Sequence, residues 1–370
     1  MVAAACGDDD DTSSGDTAAA AVTTAAPAET TAAAADTTTT AADATTTAAE
    51  VTTTAAASEA ALEELIAAAQ EEGSLTFYSA ATENIAQRMV DAFQEKYGIT
   101  AEFVRLSSNQ LYQRYAAEAD AGNIPADLVF AAGSLPAFAE DQIAKGNMYA
   151  IEDAELPVLA SGEYPPEFLR GPAALVQIAP WQFGYNTDLV TGDLIPKTWE
   201  DLLKPEFKDQ ILIANAAASD AYFDVWAVVL ENYGPEYFEQ LKAQNFRITE
   251  SGVPAVEALG AGEGMIAVPV VPSQGLANVD QGAPVAISSP SDTSGVEMGV
   301  VLTAPDKARH PNAARLMAHF AMSQEGNLVF NDDPGNVGIY DLSGLPPDYV
   351  EPAPENLARK DEILQLLGMA

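Results

Sequence analysis

Four short segments of this chain follow apolar runs and carry hydroxyl or amide groups with almost nothing bulky. They are SAAT at 79–82, AAGS at 131–134, AAASD at 216–220 and PSQG at 272–275. Such residues make neither a nucleophile nor a metal centre. Their chemistry is hydrogen bonding: each serine or threonine hydroxyl both donates and accepts. Where a helix starts just beyond the turn, its first backbone N–H groups lack intrahelical partners and point outward. Ser79, Thr82, Ser134, Ser219, Ser273 and Gln274 are therefore candidate contacts to a small polar solute. Trp181 and Tyr222 are candidates to stack on an apolar part of it.

No catalytic set competes. G-x-S-x-G is absent, His310 and His319 lie far from any nucleophile motif, and the single cysteine, Cys6, sits in a low-complexity tail. GAGEG (260–264) precedes a strand-like run instead of following one, which argues against a nucleotide fingerprint. NDDPGN (331–336) reads as an Asp-Pro-Gly turn in preference to a calcium loop, and His310 as the residue before a helix opened by Pro311. The sequence thus implies no catalytic residue, no metal ligand set and no cofactor.

The elements that must position these turns alternate. After a helix entered at Ser58 and stopped by Gly73 come a strand at 75–80, a helix at 83–97, a strand at 100–106, a helix at 108–121, a strand at 126–132 and a further helix. This β-α-β-α order predicts an open, mainly parallel sheet, in which ligands sit at the carboxyl ends of strands. A second block repeats it: strand, AAASD turn and helix within 211–232, then strands at 264–275 and 296–305. The fold class is α/β, with two doubly wound lobes and a hinge, small-residue turns facing each other across a groove.

The net charge of −39, from 55 acids against 16 Lys and Arg, excludes nucleic acid and anionic membrane surfaces as partners. Nothing approaches the roughly 18 consecutive apolar residues of a transmembrane helix. Residues 8–57 are almost all Ala, Thr, Asp and Glu, without an aromatic or a basic residue. Such a segment cannot bury enough surface to offset its ordering entropy and reads as a disordered tether. Just before it, VAAACG (2–7) resembles the end of a bacterial lipoprotein signal, making Cys6 the candidate lipidation site.

LTFYSAATENIAQRMVDAFQEKYGI (75–99), FGYNTDLV (183–190), TWEDLLKPEFKDQILIANAAAS (198–219) and RHPNAARLMAHFAMSQEGNLVF (309–330) together resemble the type II periplasmic solute-binding proteins, in particular the ferric-ion-binding group. The resemblance covers about residues 73–340. It implies two α/β lobes closing on a solute, delivery to an ABC permease and its ATPase, a monomer, and a location outside the cytoplasm. It also implies the division 1–57 anchor and linker, 58–180 plus 297–322 first lobe, 181–296 second lobe, and 323–370 C-terminal helices. The positions at which ferric members hold iron fall here near Thr82, Gly133 and Pro272–Ser273, which offer no phenolate or carboxylate for Fe(III). Ser219, Asp220 and Ala221 match the family's anion-holding Ser-Gly-Ala, with Asp220 in place of glycine. The implied ligand is a small polar organic molecule or an oxyanion. A ferric-iron-binding protein is the alternative, and an enzyme or sensor on the same fold a second one.

Overall fold

The alternation resolves into two sheets. The computed structural model describes residues 43–274, 279 and 282–370, with side chains from residue 57 onward. Cys6 and the tail up to residue 42 lie outside the described residues. Residues 49–370 form one compact unit that contains both sheets.

The first helix, α1 (Asp43–Glu72), starts well ahead of Ser58, which lies inside it and is buried. The reason is local. Alanine is the strongest helix former, and once Leu65 and Ala69 dock on the first lobe, turns add upstream without a new nucleation step. There follow β1 (Ser74–Ser79), α2 (Glu83–Tyr97), β2 (Thr100–Arg105), α3 (Ser108–Asp120), β3 (Leu128–Ala132), α4 (Leu135–Ala144), β4 (Met148–Tyr149), α5 (Pro157–Ala160), β5 (Leu169–Arg170) and β6 (Ala173–Pro180). The chain then enters the second lobe with β7 (Gln182–Asn186), β8 (Ile211–Ala214), α6 (Ala221–Ala243), β9 (Arg247–Thr249), α7 (Gly252–Gly260), β10 (Ile266–Val270) and β11 (Val285–Ser288). It returns with β12 (Gly295–Thr303), α8 (Pro311–Met322) and α9 (Gln324–Phe330), and closes with α10 (Pro354–Ala358) and α11 (Lys360–Leu367).

The first sheet runs β2-β1-β3-β12-β6-β5, with β4 also paired to β12; the second runs β11-β7-β10-β8-β9. Pairing within β1, β2 and β3, and within β8, β9 and β10, is parallel as the sequence predicts. β12 is antiparallel to β3 and β6, and β7 to β10 and β11. The cause is the crossing itself. Strands β1, β3 and β10 run toward the cleft, whereas β7 and β12 enter their sheets from it and must run away.

α2 shows why its segment is a helix. Ile85, Ala86, Met89, Val90, Phe93 and Tyr97 recur every three to four residues and are all buried, and Gly98 ends it at φ 71°. They join Phe77, Phe130, Leu316 and Phe320 in the first lobe's core. The second lobe is built on aromatics: Phe183, Trp199, Phe207, Trp226 and Phe238, sealed by Ile363 and Leu367 of α11. α10 and α11 therefore belong to the second lobe, and the chain passes between lobes three times, at 180–182, 288–295 and 340–354.

Candidate functional site

At the carboxyl end of β1 the SAAT turn does what its small residues suggest. Ala80 N–H donates to Phe130 O at 2.9 Å, and Ala81 N–H to the Ser79 hydroxyl at 3.2 Å. Thr82 is the N-cap of α2, yet its side chain makes no capping bond; its Oγ1 is buried and unpartnered. Beside it, Arg105 ends β2 and is half-buried, with Nε donating to Ala81 O at 3.3 Å. Burial pulls its pKa below the ordinary arginine value, against the fields of Tyr222, Glu83 and Glu257.

From the second lobe come Ser219 and Tyr222 at the start of α6, Ser251 before α7, and Val271, Ser273 and Gln274 after β10; Gln177 comes from β6 of the first lobe and Trp181 from the crossing. These and the β1–α2 turn enclose a cavity of about 80 Å³. Trp181 and Tyr222 stack on each other, centroids 4.7 Å apart and planes at 25°, so one face of each ring is occupied by the other. The Tyr222 hydroxyl accepts from Gly252 N–H at 3.0 Å, and burial lifts its pKa to about 12. Gln274 Oε1 accepts from Val271 N–H at 3.1 Å. Its amide sits so close to Gly252 that a Cβ there would fall 2.4 Å from Oε1, so a larger residue at 252 would displace the Gln274 side chain.

Thr82, Trp181, Ser219, Tyr222, Ser273 and Gln274 thus meet at one cavity. Ser79 and Ser134 do not line it. Ser79 is 1% exposed, and its hydroxyl serves the turn. Ser134 donates to Asp220 Oδ2 across the lobes and borders a second cavity of about 250 Å³, with Asp224, Arg170 and Glu297. Asn109 Nδ2 reaches Asp220 Oδ1 at 3.3 Å and Ala217 O at 3.2 Å. Gly133, at φ +72°, lets the lobes meet: a Cβ there would lie 2.9 Å from the Ala221 nitrogen.

Sequence reasoning missed Arg105 and Gln177. The search for small turns passed over a large residue at a strand's carboxyl end, where ligands gather, and an amide inside the apolar run AALVQIAP. It also missed a partner for His310. Ser74 Oγ lies 3.1 Å from His310 Nε2, and His310 Nδ1 3.0 Å from Asp127 Oδ2. The order is that of a hydrolase triad, but Asp127 is fully buried and also accepts from the backbone N–H groups of Thr76, Arg309 and His310. It clamps β1, the start of β3 and the entry to α8, at the amino ends of the strands, away from the cavity. The NDDPGN turn places Asp333 in an ion pair with Arg88 at 3.1 Å. Tyr78, the nearest phenol in the first strand, donates to Glu118 Oε2 at 2.7 Å on the α3 side.

Residues 123–358 match the family described as bacterial extracellular solute-binding protein. A protein of Haemophilus influenzae, described as uncharacterized, is 25% identical over 272 residues, covering 70% of this chain and 75% of its own. Among solved structures, the substrate-binding protein of an ABC transporter from Agrobacterium tumefaciens superposes with a TM-score of 0.66 at 17% identity, over 80% of this chain and 94% of that one. The periplasmic binding protein AfuA from Actinobacillus pleuropneumoniae, with exogenous fructose-6-phosphate bound, gives 0.60 at 22% identity over 80% and 97%. Iron-bound HitA from Pseudomonas aeruginosa gives 0.59 at 19% over 80% and 98%. At these identities the structural likeness speaks for the fold, whereas the match over 123–358 assigns the chain. The protein is a member of the bacterial extracellular solute-binding protein family, with the two-lobed α/β fold of the type II periplasmic binding proteins.

Proposed function

We propose that the protein is the receptor of an ABC importer, which captures a small polar organic or oxyanionic solute between its lobes and hands it to a permease driven by an ATPase. The observation that carries this reading is the convergence of polar side chains from both lobes and the crossing on one cavity. On this reading the protein performs no chemistry on the solute, works as a monomer and closes on its ligand. Thr82, Trp181, Ser219, Tyr222, Ser273 and Gln274 make the contacts, while Ser79 and Ser134 shape the turns. Cys6 carries the lipid anchor, and the Ala/Thr/Asp-rich segment is the tether.

The ferric alternative has less support, because neutral hydroxyls stand where the family's iron donors would be. A thermal-shift screen against amino acids, polyamines, sugar phosphates, phosphonates and ferric citrate tests the proposal. A ligand at 100 times its Kd adds about 2.7 kcal/mol to stability. One class should shift the melting temperature and compact the protein in solution scattering. A coloured complex with one iron per protein would instead restore the ferric reading. Cys6→Ala should release the protein from membranes, and a wild type already soluble in its host would defeat the anchor.

A further inference from the structure

The cavity between the lobes is chemically one-sided. Among the described residues, no aspartate or glutamate lines it, in a chain with 55 of them. Three polar atoms in that lining are buried without a hydrogen-bond partner: Thr82 Oγ1, Gln177 Nε2 and Trp181 Nε1. Gln177 and Trp181 are 3% and 2% exposed, so water does not satisfy them from outside. An indole N–H can only donate, an amide NH₂ donates twice, and a hydroxyl donates as readily as it accepts. Arg105 adds a guanidinium, also donor-only, that forms no ion pair among the described residues, unlike Arg88, Arg114, Arg170, Arg247 and Arg359. Leaving three polar atoms buried and unmatched, beside a half-buried cation without an ion-pair partner among the described residues, is costly, and a native site keeps such an arrangement where a ligand completes it.

We infer that the solute carries an anionic head group (carboxylate, phosphoryl or phosphonate) that accepts from Arg105, Gln177, Trp181 and Thr82, at the N-terminus of α2. This rests on the receptor reading above and narrows its solute. The cavity of about 80 Å³ sets the scale. One water needs on the order of 10–15 Å³ of such space, so the head group is a small one. The rest of the solute extends into an adjoining outer cavity of about 370 Å³, which shares Arg105, Ser107, Ala218 and Ser251 with the inner one. Glu250 and Glu257 stand on that outer wall. A second anionic group there would meet repulsion, so the remainder of the solute is neutral or cationic.

The test uses the full chain with inorganic phosphate, acetate, glycerol phosphate, spermidine and glucose, read by melting temperature and by tryptophan fluorescence. The anions should shift both signals and the last two neither. Arg105→Met should weaken anion binding at least about tenfold, with Arg105→Lys keeping part of the affinity. Should Arg105→Met fail to fold, Gln177→Met provides the same comparison inside the cavity. Binding of spermidine or glucose alone, or anion binding indifferent to both substitutions, overturns the inference and leaves the receptor reading standing. If no probe binds and the wider solute screen is also silent, the receptor reading falls and the inference with it.

Discussion

The amide of Asn109 on α3 and the carboxylate of Asp220 at the start of α6 join the two lobes at 3.3 Å, and the Ser134 hydroxyl reaches the second oxygen of the same carboxylate. One acid of the second lobe is thus held by two groups of the first. It places a negative charge at the N-terminus of α6. The contact exists only while the lobes are together.

Asp220→Ala should therefore weaken closure without touching the solute. Hydrogen bonds to a charged group contribute about 1.5–3 kcal/mol, so affinity should fall roughly tenfold or more, mostly through faster dissociation. Stopped-flow release together with an unchanged melting temperature of the unliganded protein would support this. An affinity equal to wild type would remove the latch.

Gly133→Val tests the same seam by steric means. The residue sits at φ +72°, and its Cβ would press on the Ala221 nitrogen at 2.9 Å. Strain of about 1–3 kcal/mol at a positive φ, plus the clash, should bias the protein open. Scattering in saturating ligand should then report a larger radius of gyration than wild type.

Asp127→Ala should cost about 3 kcal/mol or more, because the backbone donors from Thr76, Arg309 and His310 lose a buried acceptor. The urea midpoint should fall while solute affinity of the folded fraction is unchanged. Since the Ser74–His310 pair belongs to this clamp, a fluorophosphonate probe should leave Ser74 unlabelled; stoichiometric labelling would reopen the hydrolase reading.

Two buried groups make opposite demands on pH. Burial, and secondarily the field of Lys96, lowers the His319 pKa from 6.5 to about 4. Its unfolded form binds a proton that the folded form refuses, so its contribution is present above 6.5 and is lost as pH falls toward 4. Burial raises the Asp224 pKa from 3.8 to about 6, partly countered by hydrogen bonds from Asn356 and Ala353. Its contribution is full below 3.8 and is lost as pH rises through 6. Each slope is about 1.4 kcal/mol per pH unit, and between roughly pH 4 and 6 they cancel. Asp224→Asn should uncover stability that rises with pH in that window, and His319→Gln stability that falls. Parallel urea curves at three pH values decide it.

What the sequence reveals depends on whether the cause is local. The stripe from Ile85 to Tyr97 and the strands beside it need only periodicity, so α2, β1, β2 and β3 were legible. The place of β12 in the middle of the first sheet was not, because its neighbours are set by where the chain re-enters after the second lobe. In the site, the small turns supply four residues that do meet, Thr82, Ser219, Ser273 and Gln274, and the stacking candidates Trp181 and Tyr222 join them. The same rule could not see Arg105, whose significance comes from forming no ion pair among the described residues, or Gln177, whose amide matters because packing removes its water. Ser134, a candidate solute contact in the sequence, is the partner of Asp220.

The C-terminal segment makes the third passage between lobes. Val337 pairs with Ile178 in the first, Val350 N–H donates to Thr293 O at the crossing, Ala353 N–H and Asn356 hold Asp224, and Ile363 and Leu367 end in the core of the second. Two rigid bodies joined by a pair of adjacent strands retain both bending and twisting about them. A third connection restrains the twist. If the lobes close on a solute as proposed, the stroke should bring Asp220 back to the same two partners, Asn109 and Ser134.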